Sequence, residues 1–197
     1  MAAIEHLLYD IGVETGVKKI AILGSTGSIG RQTLEVVRAL PDRFRVVGLA
    51  AGSNSGLLAK QIDEFKPVLV HYQGKTPPAT KTKYDFLPLE DMARHPEVET
   101  VVVATSGKAG LTPTLAAVRA AKTVCLANKE SLVMAGKIIT SEARLSGARI
   151  LPIDSEHSAL WQCLNGERRE VAQLILTASG GPFRNYSPAQ REGITVE

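Results

Sequence analysis

Gly24, Gly27 and Gly30 recur three residues apart in the run GSTGSIG, directly after the apolar residues 20–23. Small residues permit a tight strand-to-helix turn, whose backbone N–H groups and helix N-terminus face an anion. Thr26 and Ser28 add hydroxyl donors beside Gly27 and Ile29. The spacing departs from the usual Gly-x-Gly-x-x-Gly, but the physics is similar. The segment predicts a cradle for a dinucleotide pyrophosphate, the alternative being a simple turn.

Sites that select NAD carry an acid about 20 residues later, where the second strand ends. Here that stretch is Ala50-Ala51-Gly52-Ser53-Asn54. It offers N–H, hydroxyl and amide donors and no carboxylate to oppose a 2′-phosphate. NADPH is therefore expected rather than NADH. Asn128, Lys129 and Glu130 follow another short apolar run. Lys129 could hold an oxyanion or phosphate of a substrate, and Asn128 and Glu130 could reach the nicotinamide side. Equally, Asn, Lys and Glu are ordinary residues at the start of a helix.

Asp154 and Glu156 stand two apart at the end of a further apolar run. In extended chain that spacing turns both carboxylates to one side. Hard oxygen donors without a nearby Cys–His pair suit Mg²⁺ or Mn²⁺ rather than Zn²⁺. An N-cap with a first-turn acid is the other reading. Ser179, Gly180 and Gly181 could receive a phosphate through backbone N–H groups or form a turn.

The elements that would position these groups alternate. Strands are predicted at 19–23, 45–50, 68–71, 100–103, 123–127 and 149–153, all strongly apolar. Helical patterns occupy 31–40, 56–65, 91–95, 112–121 and 131–145, and a loop rich in Lys, Thr and Pro covers 74–83. Short apolar strands alternating with helices predict an α/β fold, a doubly wound, mostly parallel Rossmann-like sheet. Ligands then lie outside the strand C-terminal ends. Residues 1–17 read as a short amphipathic leader and 18–150 as the NADPH-binding domain. Residues 151–197 read as the incomplete start of an α+β catalytic domain, with a helix at 158–164 and a strand at 173–177.

Composition narrows the class further. The 197 residues carry 23 Lys and Arg against 20 Asp and Glu, with 5% aromatic residues. Neither a basic stripe nor stacking partners suit a nucleic-acid binder. No apolar run approaches the length of a membrane span, and residues 1–17 lack the layout of a secretory signal. Cys125 and Cys163 fit a reduced compartment, so a cytoplasmic protein is expected. Cys125 falls inside a predicted strand, which argues against a dehydrogenase that uses a nucleophilic Cys.

Four motifs in order, GSTGSIG at 24–30, LANKESLV at 126–133, PIDSEHSAL at 152–160 and TASGGPFR at 177–184, resemble the 1-deoxy-D-xylulose 5-phosphate reductoisomerase family. The resemblance implies NADPH contacts at Thr26, Gly27, Ser28, Ile29, Gly52, Ser53, Asn54, Asn128 and Glu130. Relatives often carry a basic residue at the position of Ser53. It also implies metal ligands at Asp154 and Glu156, for Mg²⁺ or Mn²⁺, and substrate contacts at Lys129, Ser155, Glu156 and Ser179. Lys129, Asp154 and Glu156 become the catalytic residues. The implied reaction is reductive isomerisation of a small phosphorylated sugar to 2-C-methyl-D-erythritol 4-phosphate, for isoprenoid precursors. Family members are longer, homodimeric when whole, and place a third metal carboxylate beyond the equivalent of Glu197. The chain is then an incomplete N-terminal portion, or else a stand-alone NADP-binding module without activity.

Overall fold

The computed structural model describes residues 16–164, 171–175 and 181–195. The first fifteen residues of the expected leader, and Ser179, lie outside them. The chain divides into two compact units between Asp154 and Ser155.

The first unit is a seven-stranded sheet in which every pairing is parallel, ordered β4-β3-β2-β1-β5-β6-β7. The strands are β1 (Lys18–Leu23), β2 (Phe44–Ala51), β3 (Leu69–Tyr72), β4 (Asp85–Phe86), β5 (Thr100–Val103), β6 (Thr123–Leu126) and β7 (Arg149–Pro152). The chain works outward from β1 to β4 and then returns to the other side of β1. The order therefore reverses between β1 and β5, where such sheets bind ligands. Ile22, Leu23, Leu49, Val101 and Val103 are fully buried, as strands covered on both faces require. The expected doubly wound α/β class is the observed one.

Helices α1 (Ser28–Ala39), α2 (Ser55–Phe65), α3 (Leu89–Arg94), α4 (Leu111–Arg119) and α5 (Lys129–Ser146) make the crossovers. Their ends are written in the sequence. Asn54 caps α2 by accepting from Leu57 N at 3.0 Å, and Lys66 in left-handed backbone before Pro67 stops it. Asn128 caps α5, and Gly147 at φ +78° ends it. A break at Ala135, φ −144°, divides α5 internally.

Two small elements differ from expectation. The two-residue β4 and a 3₁₀ turn at Gly107–Gly110 fall below any periodic signal.

The second unit contains α6 (Ser155–Leu164), a 3₁₀ turn at Gly181–Phe183 and α7 (Pro188–Glu192). A capping box at Ser187, with Gln190 Oε1 accepting from Ser187 N at 2.8 Å, opens α7. The strand expected at 173–177 does not form over its described part, 173–175. Leu174 and Ile175 are exposed, and a strand without a ladder partner has nothing to hold it. Residues 176–177 lie outside the described range.

Candidate active site

The glycine loop leaves β1 at the sheet's switch point. Gly24 adopts φ +94°, and a Cβ there would stand 2.7 Å from Ala104 C, against the chain leaving β5. Only glycine brings the two strand ends so close. The N–H groups of Gly24 and Ser25 both donate to Ala50 O, at 2.9 and 2.8 Å, which fastens the loop to the end of β2. Gly27 then occupies the N-cap of α1 with no side-chain cap, and no acid lies in the first turn. The N-terminal N–H groups of α1 are thus open to an anion. Gly27 and Ser28 are exposed, and Thr26 and Ile29 half-buried.

Beside the loop is a cleft of about 250 Å³ bounded by the ends of β1, β2, β3 and β5. Gly24, Gly27 and Gly52 line it together with His71, Gln73 and Thr105. Gly52, Ser53 and Asn54 are exposed at the end of β2. His71 Nδ1 is 2.8 Å from Leu87 O. A carbonyl only accepts, so Nδ1 carries the proton. Thr105 Oγ1 is buried without a hydrogen-bond partner, alone among side-chain polar atoms of the described residues. Sequence reasoning named none of these last three wall residues. The signal was available, because they end or follow the predicted strands 68–71 and 100–103.

A clamp holds the loop that follows β5. Asn128 is 1% exposed. Its Nδ2 donates to Thr105 O at 2.8 Å and Gly107 O at 2.9 Å. Its Oδ1 accepts from Ser131 N at 3.0 Å and from the Ser131 hydroxyl. Glu130 Oε1 accepts from Gly107 N at 3.3 Å. The carboxamide is committed to the protein, joining the loop after β5 to the start of α5. Lys129, exposed as the first residue of α5, is held at that corner.

Asp154 directly precedes α6, which begins at Ser155 rather than near 158. Glu156 therefore lies in a helical first turn, not in the extended chain from which a common side for the two carboxylates was inferred. Both are partly buried, and Ser155 is exposed. Among the described residues no three Asp, Glu, His or Cys side chains gather into a metal cage. Each carboxylate is a hard oxygen donor of the kind Mg²⁺ or Mn²⁺ takes.

Cys125 offers no competing chemistry. It is 3% exposed on β6, and burial pushes its thiol up to about 12, with Arg149 opposing weakly. A thiol so held is not a nucleophile.

Comparison with known proteins gives a consistent family. A model of the 1-deoxy-D-xylulose 5-phosphate reductoisomerase family matches residues 20–136, and one of that enzyme's C-terminal domain matches 150–197. The 1-deoxy-D-xylulose 5-phosphate reductoisomerase of Pelotomaculum thermopropionicum is 48% identical over 192 residues, covering 91% of this chain and 50% of the relative. The Zymomonas mobilis enzyme in complex with NADPH superposes with a TM-score of 0.78 at 35% identity, covering 92% of this chain and 51% of that one. A DOX-P reductoisomerase bound to NADPH, fosmidomycin and magnesium gives 0.77 at 40% identity, over 88% of this chain and 48% of that one. The chain spans about half the length of the curated relatives it matches. Among the described residues, no helix is long and apolar enough to cross a membrane.

Proposed function

The chain belongs to the 1-deoxy-D-xylulose 5-phosphate reductoisomerase family, and from that premise we propose that it carries the NADPH-binding domain and the opening of the catalytic domain of such an enzyme. The whole protein would convert 1-deoxy-D-xylulose 5-phosphate to 2-C-methyl-D-erythritol 4-phosphate, using NADPH and Mg²⁺ or Mn²⁺. The observation that carries this reading is the cleft at the β1/β5 switch point, bordered by the uncapped N-terminus of α1.

When bound, the nicotinamide supplies a hydride and the divalent ion stabilises negative charge on substrate oxygens. The chain's own residues bind and orient. Thr26, Ser28 and Ile29 would receive the pyrophosphate on backbone N–H groups and the Thr26 and Ser28 hydroxyls, and Gly27, whose own N–H donates to Gly24 O at 3.1 Å, would leave room for its approach. Gly52, Ser53 and Asn54 surround the 2′-phosphate at the end of β2. Asn128 acts through its clamp, holding Glu130 on the nicotinamide side and Lys129 toward the substrate. Asp154 and Glu156 contribute two metal carboxylates, and Ser155 and Ser179 contact the substrate. Residues 18–150 form the cofactor domain in this reading, and 151–197 begin the catalytic one. The resemblance extends it to a cytoplasmic protein that is homodimeric at full length.

A second reading, an NADP-binding module without turnover, is favoured by the cleft and the glycine loop both lying within the first unit. Both readings require the cofactor to bind. Titration by cofactor fluorescence should show NADPH binding about tenfold more tightly than NADH, because the 2′-phosphate gains charge-assisted hydrogen bonds. Equal affinities, or a preference for NADH, would remove the assignment of Gly52, Ser53 and Asn54.

A further inference from the structure

Ser25 is fully buried in the glycine loop, and Gln61, at 4% exposure, faces it from the middle of α2. They are 36 residues apart and lie on different crossovers. The Ser25 hydroxyl donates to Gln61 Oε1 at 2.8 Å, and Gln61 Nε2 donates to Ser25 O at 2.9 Å. Around Gln61 the buried face of α2 is Leu58, Ala59 and Ile62, so an aliphatic side chain would suit that helix as a packing unit. An amide buried there is costly unless both its ends are paired. Both are paired, and with the same loop residue.

The geometry points to Gln61 as a positioning residue for the cofactor site, an inference that rests on NADPH binding as read above. With Ser25 N held by Ala50 O, the backbone N–H, carbonyl and hydroxyl of Ser25 are all fixed. The peptide from Ser25 to Thr26 is planar and trans, so its N–H points opposite to its carbonyl. Turning Ser25 O onto the buried amide therefore turns Thr26 N–H away from it, as a donor for the pyrophosphate. The same helix is capped by Asn54, in the loop read above as surrounding the 2′-phosphate. α2 thus ties the two phosphate subsites into one rigid frame.

The test compares a ligand that has the pyrophosphate with one that lacks it. NADPH and 2′-AMP are titrated calorimetrically into wild-type protein, Gln61→Leu and Ser25→Ala, with folding checked by circular dichroism. Gln61→Leu keeps the packing volume and removes both hydrogen bonds. It should weaken NADPH about tenfold while 2′-AMP stays within about twofold of wild type. Ser25→Ala leaves the bond to the Ser25 carbonyl in place, so about a threefold loss for NADPH alone is expected, and it serves the test even if Gln61→Leu does not fold. Unchanged NADPH binding in a folded variant overturns the inference. Equal losses for both ligands also overturn it, because Gln61 would then be general packing. Failure of the wild-type protein to bind NADPH removes the cofactor reading itself, and the inference with it.

Discussion

Burial has opposite consequences for two residues three apart at the end of β6. It keeps the Cys125 thiol neutral, and it makes the Asn128 carboxamide bond to its surroundings on every side. The folded thiol titrates near 12 against an ordinary value of 9.0. Its pKa is raised, so the fold favours the protonated form. That contribution is complete below about pH 9 and is lost as pH rises toward about 12. A disulfide-exchange reagent at pH 8 should therefore modify one thiol quickly in the native chain, the exposed Cys163, and both only after denaturation. Two fast thiols in the native protein would contradict the burial of β6. At this scale the sequence marks candidates where their pattern is local. The glycine loop, the donors at 52–54 and the Asn-Lys-Glu corner could be read from consecutive residues. Pairings across the fold, such as Gln61 with Ser25, left no trace in local pattern.

Among the elements, α5 shows what a cap does beyond ending a helix. Asn128 satisfies the N-terminus of α5 while its amide protons hold Thr105 O and Gly107 O from the preceding loop. Asn128→Ala removes the cap and leaves carbonyls of that loop unpaired. It should lower stability by about 2 kcal/mol in urea unfolding, with the slope of the transition unchanged. A loss below about 0.5 kcal/mol, the range of ordinary surface changes, would mean that the loop does not depend on the clamp. Six of the seven strands could be read because each is a largely apolar run in a sheet covered on both faces, and the exposed two-residue β4 could not. Their boundaries moved by a residue or two, as caps and ladder ends dictate. The element misread at 173–177 has the composition of a strand but, at 173–175, no ladder. Composition gives a tendency, and a partner strand supplies the hydrogen bonds. The start of α6 was misplaced for a related reason. Asp154, Ser155 and Glu156 are equally good as an extended metal-binding stretch and as a helix start, and the helix forms at Ser155.

For the molecule as a whole, the proposed binding of cofactor and turnover of substrate would make different demands on the chain. The cleft, the glycine loop and the Asn128 clamp all lie within the first unit. A divalent ion such as Mg²⁺ takes six oxygens in near-octahedral geometry. In the proposed function Asp154 and Glu156 bring two carboxylates, and the family resemblance implies a third in sequence beyond residue 197. Disturbing even an outer-shell partner costs about 10–100-fold in affinity or activity, and a ligating carboxylate counts for at least as much. Residues 1–197 should therefore bind NADPH, hold Mg²⁺ or Mn²⁺ weakly, and reduce 1-deoxy-D-xylulose 5-phosphate at least about 100-fold more slowly than a full-length relative. A steady-state assay following NADPH oxidation measures this directly. Joining the C-terminal half of a close relative should restore metal-dependent activity, and Asp154→Asn or Glu156→Gln in that longer protein should abolish it again. Rapid, metal-dependent turnover by the 197-residue chain would instead put a complete metal site within these residues, and the division of labour proposed for the two carboxylates would fail.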